Sequence, residues 1–497
     1  DYHSVGIALL GDMDTEAPSA DMLASLTDLL ARLGRNLGIP ATESRVFQNI
    51  TPPAMAGLNE LYARQAPRSP GANVVARLAE IRSAALAKMT KLPADGARVG
   101  GIVPLEVEAT SGITEVVFAV NGAVRHVAAE APYLWHWHAY AESEGANTLG
   151  IIIRSDGGES SITRQVQVDH TPPTGVGVTT PAWTNRRALD LATGDATHVQ
   201  VGNGWVWEGE DLYHGPNTGS AVSDSAAING VTWQAVPPTH GAGDWFGPYA
   251  CALPAWDDYE VSFRMRLASP AGSGTLATIK VQDEQGRRIY AHRSVTADML
   301  PADGSYTEIN LNLPYQSVLP TCGDPDRSDG LEFFVHYTGA GGLALNRVTV
   351  WRARQAVTGT IYDALPEQDG LHTVDLRFLD AAGNAVTQHV TIGLDRTKPV
   401  WSGIGDRSAV VQDTLSGIDT DNVFWADSVD GGETWGPWRL LSLSAPLGTV
   451  EPVTLAAPDE AGPLVRFQAR DRAGNVTINR DASLLALPCI LRNAGGH

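Results

Sequence analysis

Three stretches of this chain repeat one design, and that repeat constrains the fold more than any other feature. "TLGIIIRSDGGESSITRQVQVDHTPP" (148–173), "HTVDLRFLDAAGNAVTQHVTIGLDRTKP" (372–399) and "LVRFQARDRAGNVTINRDASL" (464–484) each join two alternating strands through an Asp-x-x-Gly turn. Alternation of period two buries one strand face, while the Asp caps the turn and the Gly takes its φ > 0 position. Three β-sandwich domains of similar build follow, with the Pro-containing "DHTPP" and "DRTKP" as stiff joints between them. The turns Asp380–Asn384 and Asp471–Asn475 also admit a calcium reading, but hairpin chemistry alone accounts for them.

The upstream halves repeat as well, as "TEVVFAVNG" (114–122), "THVQVGNGW" (197–205) and "DNVFWADSVDGGETW" (421–435). In the second copy the two halves stand far apart, so a further domain is inserted between them. That insert, 206–354, contains "DYEVSFRMRL", "TLATIKVQDEQGRRIYAHRSV", "YTEINLNL" and "LEFFVHYTGAGGLALNRVTVW", all alternating. Its last strands, "EFFVHYTGAGGLALNRVTV", resemble the closing strands of galactose-binding-like jelly rolls, domains that often bind sugars and often serve only as spacers. The three repeats resemble bacterial Ig-like domains.

The first 90 residues differ. "SVGIALLGD" (4–12) is a continuous apolar run, as in a buried strand. A helix follows, with Met22, Leu26, Leu29, Leu33 and Leu37 on one face, Ser19 as N-cap and Gly38 as C-cap. A second helix is expected from Asn73 to Met89, with Val74, Leu78, Ile81 and Ala85 inward. The strand, the helix, "RVFQN" (45–49) and "SPGANVVARLAEIR" resemble, in order, the C-terminal half of N-acetylmuramoyl-L-alanine amidases and peptidoglycan recognition proteins. The resemblance implies a zinc site of two His and one Cys, Asp or His. At the matching positions stand Asn49 and Ser69, and no His occurs between His3 and His126, so the zinc site is read as lost. His3 reads as a solvated side chain.

Composition narrows function by exclusion. With 35 basic against 56 acidic residues, a net charge of −21 makes nucleic acid a poor partner. No run is apolar enough to span a membrane. Cysteine is scarce: Cys251 and Cys322 fall in the insert and are a possible disulfide, and Cys489 is the odd one out. "YLWHWHAY" (133–140) reads as a Trp pair in a sandwich core with His136 and His138 facing solvent. Trp205, Trp207 and Trp245 are candidate glycan-stacking residues. "CGDPDRSDG" (322–330) reads as an acidic turn, and no catalytic motif stands out.

The expectation is therefore a multidomain, mainly β protein. It comprises a truncated, degenerate amidase-like α/β segment (1–95), Ig-like domains at 96–172, at 173–205 plus 355–398, and at 399–490, and a jelly roll inserted at 206–354. The expected role is non-catalytic and extracellular: a bacterial surface filament, sheath or envelope subunit, or an adhesin, without cofactor. An amidase whose catalytic half lies upstream, or a glycan-binding protein, is the alternative. The chain opens on Asp1 and reads as a processed product. The incomplete first segment implies self-association through residues 1–90 or a retained N-terminal fragment, and cell-wall glycan is a further possible partner.

Overall fold

The computed structural model describes residues 5–37, 52–53, 55–61, 69–108, 113–155, 158–202, 204–250, 253, 258–269, 274–283, 286, 288–314 and 330–480. The chain is mainly β, built from eight sheets among the described residues.

The N-terminal segment departs most from expectation. Residues 5–10 form no strand, and Val5 (61 % exposed), Ile7 (36 %) and Leu10 (87 %) lie open to solvent. An apolar run becomes a strand only beside a partner for its N–H and C=O groups, and no strand among the described residues precedes Thr90. The expected strand at 45–49 lies outside the described residues. Helix Ala20–Leu37 begins where Ser19 places it, since Ser19 Oγ accepts the Met22 N–H at 3.1 Å. Its inward face is rotated from the expected one: Thr27, Ala31 and Gly34 are buried, whereas Leu29 is exposed. Small residues on that face let the helix lie close against Leu78–Lys88. The second helix is broken at Ala76–Arg77 into Ala72–Val75 and Leu78–Lys88, with Val74, Ile81 and Ala85 inward. Ala31, Ala85, Leu86 and Met89 join the core of the adjoining sandwich.

That sandwich pairs a three-stranded sheet (Thr90–Lys91, Ile102–Val107, Tyr133–His138) with a five-stranded one containing the hairpin Gly145–Ser155/Gly158–Val168. Phe118, Trp137, Leu149, Ile151 and Ile153 fill the space between them. Further along, His198–Gly202 lies antiparallel to Gly370–Leu379, with His198 opposite Leu379 and Gly202 opposite Asp375. A long-range pairing therefore brackets the residues in between, and the strands from 206 to 352 form two sheets of their own. One sheet holds Asp258–Leu267, Thr307–Pro314 and Leu343–Arg352; the other runs Tyr213–His214, Gly243–Ala250, Leu331–Tyr337, Thr275–Asp283, Ile289–Thr296. Alternation sends Tyr259, Val261, Phe263, Ile279, Val281, Phe333, Val335 and Tyr337 into one core between them. A last pair of sheets encloses Trp425, Val465 and Phe467.

The hairpin turns follow the local chemistry read from the sequence. Asp380 Oδ1 accepts the N–H groups of Ala382 (2.8 Å) and Asn384 (2.9 Å), and Gly383 sits at φ 87°. Asp471 Oδ1 accepts Asn475 N–H at 2.8 Å, and Gly474 sits at φ 98°.

Candidate ligand-binding face and acidic joint

Side chains that alternate inward along the insert leave a second set on its outer surface. The register aligns Tyr213 with Phe246, Phe246 with Phe334, Phe334 with Lys280 and Lys280 with His292, one residue from each of five adjacent strands. At about 4.8 Å per strand this row crosses the whole sheet. Its aromatic half is continuous: the ring centroids of Tyr213 and Phe246 are 4.6 Å apart, and those of Phe246 and Phe334 are 6.0 Å apart at 19°. Tyr213 is 65 % exposed, Phe246 and Phe334 are half-buried, and Lys280 Nζ stands 5.0 Å from the Phe334 ring centre. Exposed polar groups border the row on one side, where His336 Nδ1 and Asp244 Oδ1 are 2.6 Å apart; on the other, Gln282 donates to Glu332 at 2.6 Å, and both are buried. Aromatic faces amid hydrogen-bonding groups suit a flat ligand with apolar faces and polar edges.

The tryptophans singled out in the sequence lie elsewhere. Trp245 is 0 % exposed, stacks on Tyr337 and donates its Nε1–H to the Thr218 carbonyl at 3.1 Å, so the expected glycan contact is unavailable to it. Trp205 and Trp207 are partly buried and pack on the same core, against Tyr259 and Phe333. Sequence reasoning missed Tyr213, Phe246 and Phe334. Alternation in "LEFFVHY" covered Phe334, but no stretch read as a strand covered Tyr213 or Phe246, and only the register aligns residues so distant in sequence.

His136 is also buried rather than solvated, at 7 % exposure. Its Nδ1 lies 2.8 Å from Asp298 Oδ2 in the insert, and His138 Nε2 lies 2.5 Å from the Asp298 carbonyl. The hydrogen bond from His136 holds the Asp298 carboxyl down at about 2. Trp137 is buried as expected, and Trp135 partly so.

A second polar feature lies at the joint before the last pair of sheets. Asp395 (0 % exposed), Asp413 (4 %) and Asp471 (0 %) bring carboxylate oxygens within 4.8 Å of one another. Backbone N–H groups hold them there: Thr397 and Ser416 donate to Asp395, Leu415 and Gly417 to Asp413. The Asn475 amide ties the turn to the joint, donating to Asp471 Oδ2 (2.7 Å) and to the carbonyls of Asp395 (2.8 Å) and Thr397 (3.1 Å). Burial, with the charges of Asp395 and Asp413 nearby, pushes Asp471 up to about 6. Such carboxylates are the residues that could hold a hard cation among those described. The earlier joint repeats the tie, with Asn384 donating to the Asp169 carbonyl at 2.9 Å, but there Arg98 pairs with Asp169 at 3.2 Å.

Of the two positions that the amidase resemblance matched to zinc ligands, Ser69 lies in a turn where its carbonyl accepts the Asn59 N–H at 2.9 Å. Asn49, His3, Gly38, the Cys251–Cys322 pair, Cys489 and the acidic stretch 322–329 lie outside the described residues.

Comparison with known proteins gives a partial match. Residues 90–151, starting at the strand Thr90–Lys91, match the family model for a bacterial Ig domain. No curated protein matches. Among solved structures, the chain is similar to fibronectin(III)-like modules of Clostridium thermocellum CbhA at 24 % identity, over 16 % of this chain and 89 % of that one, with a TM-score of 0.13. It is also similar to a carbohydrate-binding module from Cellvibrio mixtus lichenase 5A in complex with cellotriose, at 14 % identity over 29 % and 94 % of the two chains, TM-score 0.20. A tandem module from Paenibacillus barcinonensis Xyn10C aligns at 8 % identity over 55 % and 86 %, TM-score 0.22. None of these findings supports the amidase resemblance of the first 90 residues, and scores this low carry no functional argument.

Proposed function

We propose that this is a non-catalytic, extracellular glycan-binding protein of a bacterial surface. In this reading Ig-like modules at 96–172, 173–205 with 355–398, and 399–490 carry a jelly-roll module, 206–354, as the binding unit. The observation that carries the proposal is the outward row Tyr213–Phe246–Phe334. The C–H faces of a pyranose ring stack on such rings, and its equatorial hydroxyls reach the polar groups beside them. The experiment is retention of the intact chain on insoluble and gel-embedded polysaccharides. Phe334→Ala and Phe246→Ala, which remove half-buried outer rings and leave the core intact, each weaken retention roughly tenfold, about 1.4 kcal/mol, with an unchanged melting curve. Full retention by both variants would overturn the proposal.

The exposed Val5, Ile7 and Leu10 favour a second reading, self-association through the N-terminal segment. Leu10→Asp then lowers the assembly state measured by light scattering. A wild-type chain that stays monomeric at high concentration would rule this out.

A further inference from the structure

Asp395, Asp413 and Asp471 gather three buried acids at the second joint, and none of them makes an ion pair among the described residues. The earlier joint carries the same arrangement with a cation built in. There Asp169, Asp195 and Asp380 line one cavity together with Arg98, whose Nη1 lies 3.2 Å from Asp169 Oδ2. Register shows where the two joints differ. Arg98 and Val99 run parallel to Gln167 and Val168, and Asp169 N–H donates to the Val99 carbonyl. At the second joint Trp183 and Thr184 run parallel to Gly393 and Leu394, and Asp395 N–H donates to the Thr184 carbonyl. Trp183 therefore holds the place of Arg98, and Asp395 that of Asp169. An uncharged ring stands where the first joint has a guanidinium, and the acids are as many. One of them also has a free oxygen. Asp413 is 4 % exposed, and its Oδ1 accepts the N–H groups of Leu415 and Gly417 and the Ser416 hydroxyl. Its Oδ2 accepts none, which leaves a carboxylate oxygen of a nearly buried side chain without a partner at the cluster. Burying charge without a counter-charge is costly.

From this missing counter-charge we infer that the second joint binds a calcium ion, held by one oxygen each from Asp395, Asp413 and Asp471. A set of carboxylates without His or Cys selects a hard divalent cation. The three oxygens lie within 4.8 Å of one another. That fits the span of about 5 Å between opposed ligands around calcium, and water completes the coordination. Asp395 follows the strand Ala385–Leu394 of the split sandwich, whereas Asp413 and Asp471 follow Ser408–Gln412 and Leu464–Arg470 of the last one. The ion thus pins two modules in one orientation, as Arg98 helps to do at the first joint.

The full chain, stripped of metal with a chelator and dialysed, is titrated with calcium chloride. Calorimetry shows one site with a dissociation constant on the order of 10⁻⁴ M. The unfolding midpoint climbs with the logarithm of calcium concentration above that value. Asp413→Asn, which keeps the Oδ1 acceptor of its turn, weakens binding at least roughly tenfold by removing one ligand charge. Asp395→Asn does the same, so the result does not hang on the folding of one variant. Trp183→Arg, which restores the cation of the first joint, also suppresses calcium binding. A wild-type chain that gives neither heat nor a shifted midpoint overturns the proposal. Affinity left intact in any of the three variants overturns it too, since the ion then sits elsewhere on this acidic chain. Equal affinity for magnesium chloride overturns the choice of calcium.

Discussion

Asp471 is held by its turn and crowded by its surroundings. Two hydrogen bonds from Asn475 favour its charged form, but burial and the nearby Asp395 and Asp413 outweigh them and raise its carboxyl to about 6. An acid whose folded value is raised keeps a proton that the unfolded chain releases near 3.8. Its contribution to stability is full below that unfolded value and is lost as pH rises through about 6. The unfolding midpoint of the last sandwich should thus decline between pH 4 and pH 6, the window those two values define. Asp471→Asn should flatten the slope, and a slope unchanged in that variant would assign it to other groups. The turn was readable from the sequence, because Asp, Gly and Asn act on their own backbone within five residues. The joint was not: Asp395 and Asp413 approach Asp471 only after separate segments pack, and no local spacing encodes that.

Among whole elements, the same division holds between local pattern and distant pairing. Alternation located the long strands of the insert, since period two follows from a single buried face. A continuous apolar run suggested a strand at 4–12, and that expectation failed over 5–10, because apolar character says nothing about who supplies the ladder. The helix face failed more subtly: leucines marked one stripe, while close approach selected Thr27, Ala31 and Gly34. At the junction of insert and host strands the pairing is built from charge. Arg377 of the host strand lies 3.7 Å from Glu260 and 2.6 Å from Glu308 of the insert, and Arg354 lies 3.0 Å from Glu260. The Trp351 ring lies 5.7 Å from the Arg377 guanidinium, and Gly202 leaves it room, since a Cβ there would stand 3.0 Å from the ring. Arg377 and Glu260 are nearly buried, so removing the cation leaves Glu260 with Arg354 alone and Glu308 without its ion pair. Arg377→Ala should cost on the order of 3 kcal/mol by chemical denaturation, and a loss below about 1 kcal/mol would mean that water reaches the contact.

At the scale of the whole chain, the described residues tie the insert through Arg377 to the strand that receives it and through Asp298 to the preceding sandwich. The second tie joins residues about 160 positions apart, His136 and His138 on one side and Asp298 on the other. It joins the insert that carries the aromatic row to the first sandwich, so it bears on which way that row faces. Around it stand His126, whose ring burial pushes down despite the Asp298 charge, Tyr140 bonded to His138, and Asp303 close by. Asp298, depressed to about 2, contributes stability that is present above its ordinary 3.8 and is lost only as pH falls through about 2. Acid alone should therefore not release the tie anywhere above pH 4, the margin set by those two values. Removing the carboxylate should loosen it at every pH, leaving the contact of His138 to the Asp298 carbonyl as the remaining half. Small-angle scattering of Asp298→Asn should give a larger radius of gyration than the wild type, with the melting profile unchanged. Identical scattering profiles for the two proteins would mean that the modules are held together by apolar contact and that the histidine–aspartate tie only lines the seam.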